Sequence, residues 1–272
     1  MKLHARGIGH GFADAEVIVS HNPISFLGGV DPNTGKIVDK GSDIYDRSFA
    51  GKILAFPHGK GSTVGSYVIF QLKRSKTAPA AILNTKAETI VATGAILAEI
   101  PMLDRIPMDI LLTGDRVIVR AEEGILELPD VEENTVVTVI IKKDNEILIL
   151  KRSEKVETYK GRWSGVSGGI NHGEEPIDAA IRELKEETGI EIERSAISIQ
   201  GHTIFARDGN DLWKVHPFLI ESKEDEVSLD WENDEYRWIK PADLKLYETV
   251  PKLDRAVESL LKAEEAMKTK PC

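Results

Sequence analysis

Three carboxylates crowd one turn of the stretch GGINHGEEPIDAAIRELKEETGI, residues 168–190: Glu183, Glu186 and Glu187. Like charges at i,i+3 and i,i+4 destabilise a helix by about 0.2–0.5 kcal/mol per pair, and only Arg182 and Lys185 lie near enough in sequence to offset them. A hard divalent cation such as Mg²⁺ prefers carboxylate oxygen, keeps part of its water and bridges protein carboxylates to substrate phosphates. The plain alternative is a solvated acidic helix face. A second stretch, LAFPHGKGSTVGSYVIFQL at residues 54–72, sets Ser62 among Gly59, Gly61 and Gly65, with His58, Lys60 and Thr63 beside it. Gly59-Lys60-Gly61-Ser62 is not a nucleotide-binding P-loop, which needs Gly, four residues, then Gly-Lys-Ser/Thr. Two readings stay open for it: a tight glycine turn between buried strands, or a loop that presents Ser62 to backbone N–H groups.

The elements that must carry these residues are legible in part. From Pro176 to Thr188 the 100° helical step puts Ile177, Ala180, Ile181 and Leu184 on one stripe, with Glu183, Glu186 and Glu187 on the neighbouring face. Pro176 suits a first helical turn and Gly189 the left-handed position that ends a helix. In the first half, glycine-rich turns separate the runs AEVIVS, GKILAF, SYVIFQL, AAILN and DRVIVRA, which read as strands. AETIVATGAILAEIPML reads as a short helix and then a strand. TVVTVIIKKDNEILILKRS reads as a hairpin turning at Lys143 to Asn145. The pattern changes near residue 131, which predicts two domains, 1–131 and 132–272, as the 272-residue length also suggests. Neither an internal repeat nor a low-complexity tract is evident, and the tail after the last helical pattern is expected to fray.

Composition narrows the function classes. With 41% apolar and 29% charged residues the chain reads as a soluble globular protein. No apolar run approaches the ~20 residues that span a bilayer, and the start lacks the apolar core of a secretory signal, so a cytoplasmic location is expected. A formal charge of −10 argues against general nucleic-acid binding. The single cysteine, Cys272, can neither pair internally nor supply the thiolates of an iron–sulfur cluster.

Spacing then favours chemistry over a solvated face. Gly168, Glu174, Arg182, Glu183, Leu184, Glu186, Glu187, Gly189 and Ile190 resemble the Nudix hydrolase signature at each defining position, and the resemblance runs over about residues 132–262. It implies an α/β/α sandwich with a mixed sheet that binds Mg²⁺ or Mn²⁺ and cleaves a diphosphate linked to another group. On that resemblance Glu183, Glu187 and Glu174 are expected at the metal. Glu186 is a further ligand or the base that activates water, Arg182 orients a glutamate, and Gly168 and Gly189 support the loops. The isomerase variant of the fold, which acts on isopentenyl diphosphate, is set aside because Cys272 is a poor match for the active-site cysteine it needs.

The first half, through GGVDPNTGKI and HGKGSTVGSYV, resembles the aconitase X swivel domain in its archaeal phosphomevalonate dehydratase small-subunit form, over about residues 3–128. The implied fold is a swivelling β/β/α domain that closes over a large subunit bearing a 4Fe–4S cluster, making a heterodimer. Ser62 would be the proton acceptor, with Gly61, Thr63, His58 and Lys60 near the substrate, and Ser66 would merely satisfy the following turn. The implied reaction removes water from (R)-5-phosphomevalonate to give trans-anhydromevalonate 5-phosphate, and the isolated chain should lack it.

Three functions remain open at this point: a dehydratase small subunit fused to a Mg²⁺-dependent Nudix hydrolase, a dehydratase subunit with a Nudix metabolite sensor, or a hydrolase of nucleotide or isoprenoid diphosphates with the swivel domain as assembly module. Trp163, Trp213, Trp231 and Trp238 read as core or pocket walls, with Trp163 the one nearest the signature. His172 reads as surface. The acidic run ESKEDEVSLDWENDE reads as a solvated loop and strand edge, with Glu232 or Glu235 as an alternative base.

Overall fold

Four apolar runs of the first half lie parallel in the computed structural model, which describes residues 1–222 and 227–269. They belong to the first of two compact units, Met1–Glu132 and Glu133–Cys272. In the first unit the strands Phe12–Val19, Ile53–Phe56, Ala81–Asn84 and Met102–Asp104 pair side by side in parallel. Antiparallel strands extend both edges, giving one eight-stranded mixed sheet. Parallel neighbours need a crossover, and helix α1 (Gly65–Arg74) and helix α2 (Thr89–Leu97) supply two of them. Ile18, Leu54, Phe56, Ile82 and Met102 of the sheet pack with Ile69 and Leu72 of α1 and Val91 and Ala95 of α2. Full burial of each large apolar side chain contributes about 1.5–3 kcal/mol.

The run SYVIFQL departs from its strand reading, since it forms α1. Its Tyr, Val, Ile and Phe favour a pleated surface. Two features outweigh them: the crossover between Ile53–Phe56 and Ala81–Asn84, and the three-residue spacing of the buried Ser66, Ile69 and Leu72. Tyr67 and Phe70 face outward.

The second unit is built on the hairpin Glu132–Lys143 and Glu146–Arg152, in which Lys143 pairs with Glu146 across a two-residue turn. Asp144 takes the left-handed conformation there, with φ 52°. Alternation sends Val137, Val139 and Ile141 to one face, where they meet Ala179, Ala180 and Leu184 of helix α3 (Pro176–Thr188). It sends Ile140, Ile147 and Ile149 to the other, against Leu253, Val257 and Leu260 of helix α4 (Leu253–Lys268). Both units are thus mixed α/β, the second with a helix on each face of its sheet. Among the described residues no helix is long and apolar enough to cross a membrane. Cys272 and residues 223–226 of the acidic run lie outside the described residues.

Candidate functional site

Helix α3 begins with Pro176 in its first turn and ends at Gly189, whose φ of 73° is the left-handed conformation that a side chain would resist. Its carboxylates meet unequal environments. Glu187 is 3% exposed, faces inward and accepts hydrogen bonds from the Ser167 N–H at 2.9 Å and from Asn233 Nδ2 at 2.7 Å. Burial pushes its carboxyl up to about 8, with the charges of Glu183 and Glu232 acting in the same direction. Glu183 is likewise raised, first by burial and then by Glu186 and Glu232, against the pull of Arg182. Glu186 is mostly exposed.

Arg182 is the hub of this cluster. Its Nε and Nη2 each reach Glu174 at 2.9 Å, Nη1 reaches Glu183 at 2.6 Å and Glu186 at 3.3 Å, and Nη2 also donates to the Gly169 carbonyl. Both Glu174 oxygens are engaged, because the Asn171 N–H donates to the second at 2.8 Å. The Arg182 hydrogen bonds hold the Glu174 carboxyl at about 2. Gly168 explains itself through Glu183: a Cβ there would overlap all three carboxylate atoms of that side chain.

The donors suit a hard divalent cation. They are all carboxylate oxygens, their charges raise one another's proton affinity, and next to Glu187 the buried Asn233 Oδ1 has no hydrogen-bond partner. In the arrangement described, no three acidic, histidine or cysteine side chains already converge as a clasp among the described residues. Arg182 occupies Glu183 instead.

The acidic run reads from sequence as solvated, with Glu232 or Glu235 as an alternative base; the structure brings Glu232 to this site together with Asn233, which the sequence reading does not single out. Burial raises the Glu232 carboxyl, followed by Asp230 and Glu186, against Arg152. Glu235 instead pairs with Arg237. A cavity of about 270 Å³ is lined by Gly168, Glu183 and Glu232 and also by Tyr159 and Trp213. Trp163 lies apart from that wall in the core, edge-on to Tyr247. His172 is exposed.

In the first unit the loop 57–64 leaves the carboxyl end of Ile53–Phe56, where ligands of parallel sheets commonly bind. Ser62 is exposed, and its Oγ accepts from the Val64 N–H at 3.3 Å as the chain enters α1. The first turn of α1 carries no acidic side chain, so its positive end is uncompensated there. Gly61 has φ 102°, and a Cβ on it would meet Ser25 Oγ at 2.9 Å. Lys60 Nζ points toward Asp39 at 4.0 Å. His58 and Thr63 are exposed on the same loop, His58 Nδ1 lying 2.9 Å from the Gly59 carbonyl. Ser66 is buried and donates to the Thr63 carbonyl at 2.9 Å. Gly59 backs onto the Glu88 carboxylate, which caps α2 through the N–H groups of Ile90 and Val91.

Residues 2–128 match the family model of the aconitase X swivel domain, and residues 132–260 that of the NUDIX domain. The phosphomevalonate dehydratase small subunit of Thermococcus onnurineus is 59% identical over 130 residues, which are 48% of this chain and the whole of that protein. The crystal structure of Thermococcus kodakaraensis aconitase X in its holo-form matches at 57% identity, TM-score 0.47, over 47% of this chain and 98% of that one. The crystal structure of a MutT protein from Methanosarcina mazei matches at 24% identity, TM-score 0.43, over 52% and 98%.

Proposed function

We propose, on the premise that this chain belongs to the phosphomevalonate dehydratase small-subunit family through its first half and carries a Nudix domain in its second, that it performs two reactions with separate sites. The first is dehydration of (R)-5-phosphomevalonate to trans-anhydromevalonate 5-phosphate, in a heterodimer with a large subunit. The observation that supports it is the exposed Ser62 Oγ at the start of α1, in a half that covers the full length of a 59% identical relative.

Ser62 would take the proton from the carbon next to the substrate carboxylate as the neighbouring hydroxyl leaves and the double bond forms. An ordinary serine is too weak a base, so the alkoxide needs stabilisation. The Val64 N–H and the positive end of α1 supply it on this chain. Lys60, drawn toward Asp39, would swing to the substrate phosphate on closure, and His58, Gly61 and Thr63 would line the same approach. A 4Fe–4S cluster does not fit this chain, whose one cysteine cannot hold it. The partner would contribute the cluster.

The second reaction is hydrolysis of a diphosphate linked to another group. Glu183, Glu187 and Glu186 would hold Mg²⁺ or Mn²⁺, which supplies charge neutralisation on phosphoryl oxygen and acidifies water. Glu174 is better placed to anchor Arg182 than to bind the ion, and Arg182 holds Glu183 and Glu186 in register. With Glu186 taken as a ligand, Glu232, which lines the cavity beside Glu183 and has a raised carboxyl, would be the base for the attacking water. The test is phosphate release by the isolated chain across a diphosphate panel with Mg²⁺. Release that Glu187→Gln abolishes supports the hydrolase, and no release from any diphosphate leaves a metabolite sensor.

A further inference from the structure

The loop that carries Ser62 is held at its root by a side chain from the neighbouring strand. The Pro57 carbonyl accepts from the Thr85 and Lys86 N–H groups at 3.0 and 3.1 Å, the His58 carbonyl accepts from the Ile24 N–H at 3.3 Å, and the Lys60 N–H donates to the Ile24 carbonyl at 2.9 Å. These bonds run between backbones, so most residue types could make them. The Phe56 carbonyl, at the end of the strand that leads into the loop, instead accepts from Asn84 Nδ2 at 2.8 Å.

Asn84 is a costly residue where it stands. It is wholly buried, and alternation along Ala81–Asn84 puts it on the face of Ile82, which packs with α1 and α2. Its amide nitrogen also donates to the Leu83 carbonyl at 3.1 Å. Both partners are carbonyl oxygens, which only an N–H can face, so the amide has one orientation and its Oδ1 is left buried without a partner. A leucine of similar size would bring no unpaired atom of its own. Packing therefore gives no reason for an asparagine here, and the bond to Phe56 does. The turn that follows Asn84 backs the loop further along. Its Ala87 N–H is fixed by the buried Asp104 carboxylate at 3.1 Å, and Gly59 lies so close to Glu88 that a Cβ there would meet the Glu88 carboxylate at 2.4 Å.

Resting on the dehydratase reading above, we infer that Asn84 is a positioning residue for Ser62. It acts through the Phe56 carbonyl. Without the amide donor the root of the loop shifts to find another, and the Val64 N–H that meets Ser62 Oγ shifts with it. Proton abstraction tolerates little such movement, since a misplacement of about 1 Å costs about 10²-fold in rate.

Two measurements test this, one of them independent of turnover. Asn84→Leu keeps the bulk and removes both donors; Asn84→Ser, too short to span to the Phe56 carbonyl, is the second variant should the first fail to fold. In the full chain, the variant should speed amide hydrogen exchange at Lys60 and Val64 about tenfold or more. In the enzyme assembled with a cluster-loaded large subunit, kcat for dehydration should fall about 10–10²-fold at unchanged affinity for that subunit, with KM within about twofold. In a Ser62→Ala background the same substitution should cost nothing further, because the group it positions is gone. Unchanged exchange at Lys60 and Val64, or an equal loss of turnover in both backgrounds, overturns the inference. Faster exchange in the variant together with undiminished turnover in Ser62→Ala would sink the dehydratase role of Ser62 and leave Asn84 as the anchor of its loop.

Discussion

Replacing Gly168 by alanine would test how closely the signature helix and its neighbouring strand must approach. Gly168 pairs with Val137 in the sheet, and its α-carbon faces the Glu183 carboxylate. With ordinary contact at ~3.5 Å, an added methyl would invade the envelope of that carboxylate by more than ~1 Å. The strand is held by its ladder and by the Ser167 N–H bond to Glu187, so the flexible end of Glu183 yields first. Withdrawal stretches its 2.6 Å bond to Arg182 and takes the carboxylate from the metal side of the site. The fold should lose no more than ~1 kcal/mol, as a strand gains from the removal of glycine. A displacement of that size at a reacting centre costs about 10²-fold in kcat/KM. The assay is phosphate release with Mg²⁺ on the best substrate of the panel, alongside melting temperature. In a Glu183→Ala background the same alanine should cost nothing further, since the group it displaces is gone. Full activity in Gly168→Ala, or equal losses in both backgrounds, would refute this account.

Other consequences can be measured directly. Glu174→Gln should lower hydrolysis about tenfold while leaving the number of bound Mn²⁺ ions unchanged, because Glu174 anchors Arg182; loss of an ion would restore it as a ligand. Burial works against the Glu264 charge, but the hydrogen bonds from Lys142 and Lys268 outweigh it and hold the carboxyl at about 2, against an ordinary 4.5. A carboxyl depressed in the folded state stabilises above its unfolded value, and this contribution disappears as pH falls from about 5 toward 2, so Glu264→Gln should cost ~1–3 kcal/mol at pH 7 and almost nothing near pH 2. Denaturant titration at both pH values checks it, and an equal cost at each would contradict it. Gly61→Val should disable dehydration in the assembled enzyme through its φ of 102° and its approach to Ser25, without touching phosphate release, and parallel assays of both activities would show any crossover.

What could be read from the amino acids follows from how local each signal is. Helix α3 was legible because its stripe, its Pro176 and its Gly189 all lie within fifteen residues and agree. Ser62 could be singled out from the glycines around it, but the donor that reaches it, Val64 N–H, became visible only once SYVIFQL proved to be a helix. The β-branched and aromatic residues of that segment suit a strand, while the crossover that makes it helical depends on which strands are neighbours. Asn233 sits beside Glu232 in a run whose charge suggests solvent, and only Glu232 or Glu235 stands out there as an alternative base. Asn233 and Glu232 reach Glu187 because Asn233 pairs with Arg152 in the sheet, a partner 81 positions earlier in the chain. Trp213 and Tyr159 meet across 54 positions, and no spacing rule connects them.

The most direct test of the account is reconstitution: this chain, with or without Ser62→Ala, is combined with a cluster-loaded aconitase X large subunit and phosphomevalonate dehydration is followed. The account predicts turnover only when both chains are present, reduced ~10²–10⁴-fold by Ser62→Ala with the complex intact. Undiminished turnover in the variant, or none from a formed complex with an intact cluster, would contradict the role given to the first half of the chain.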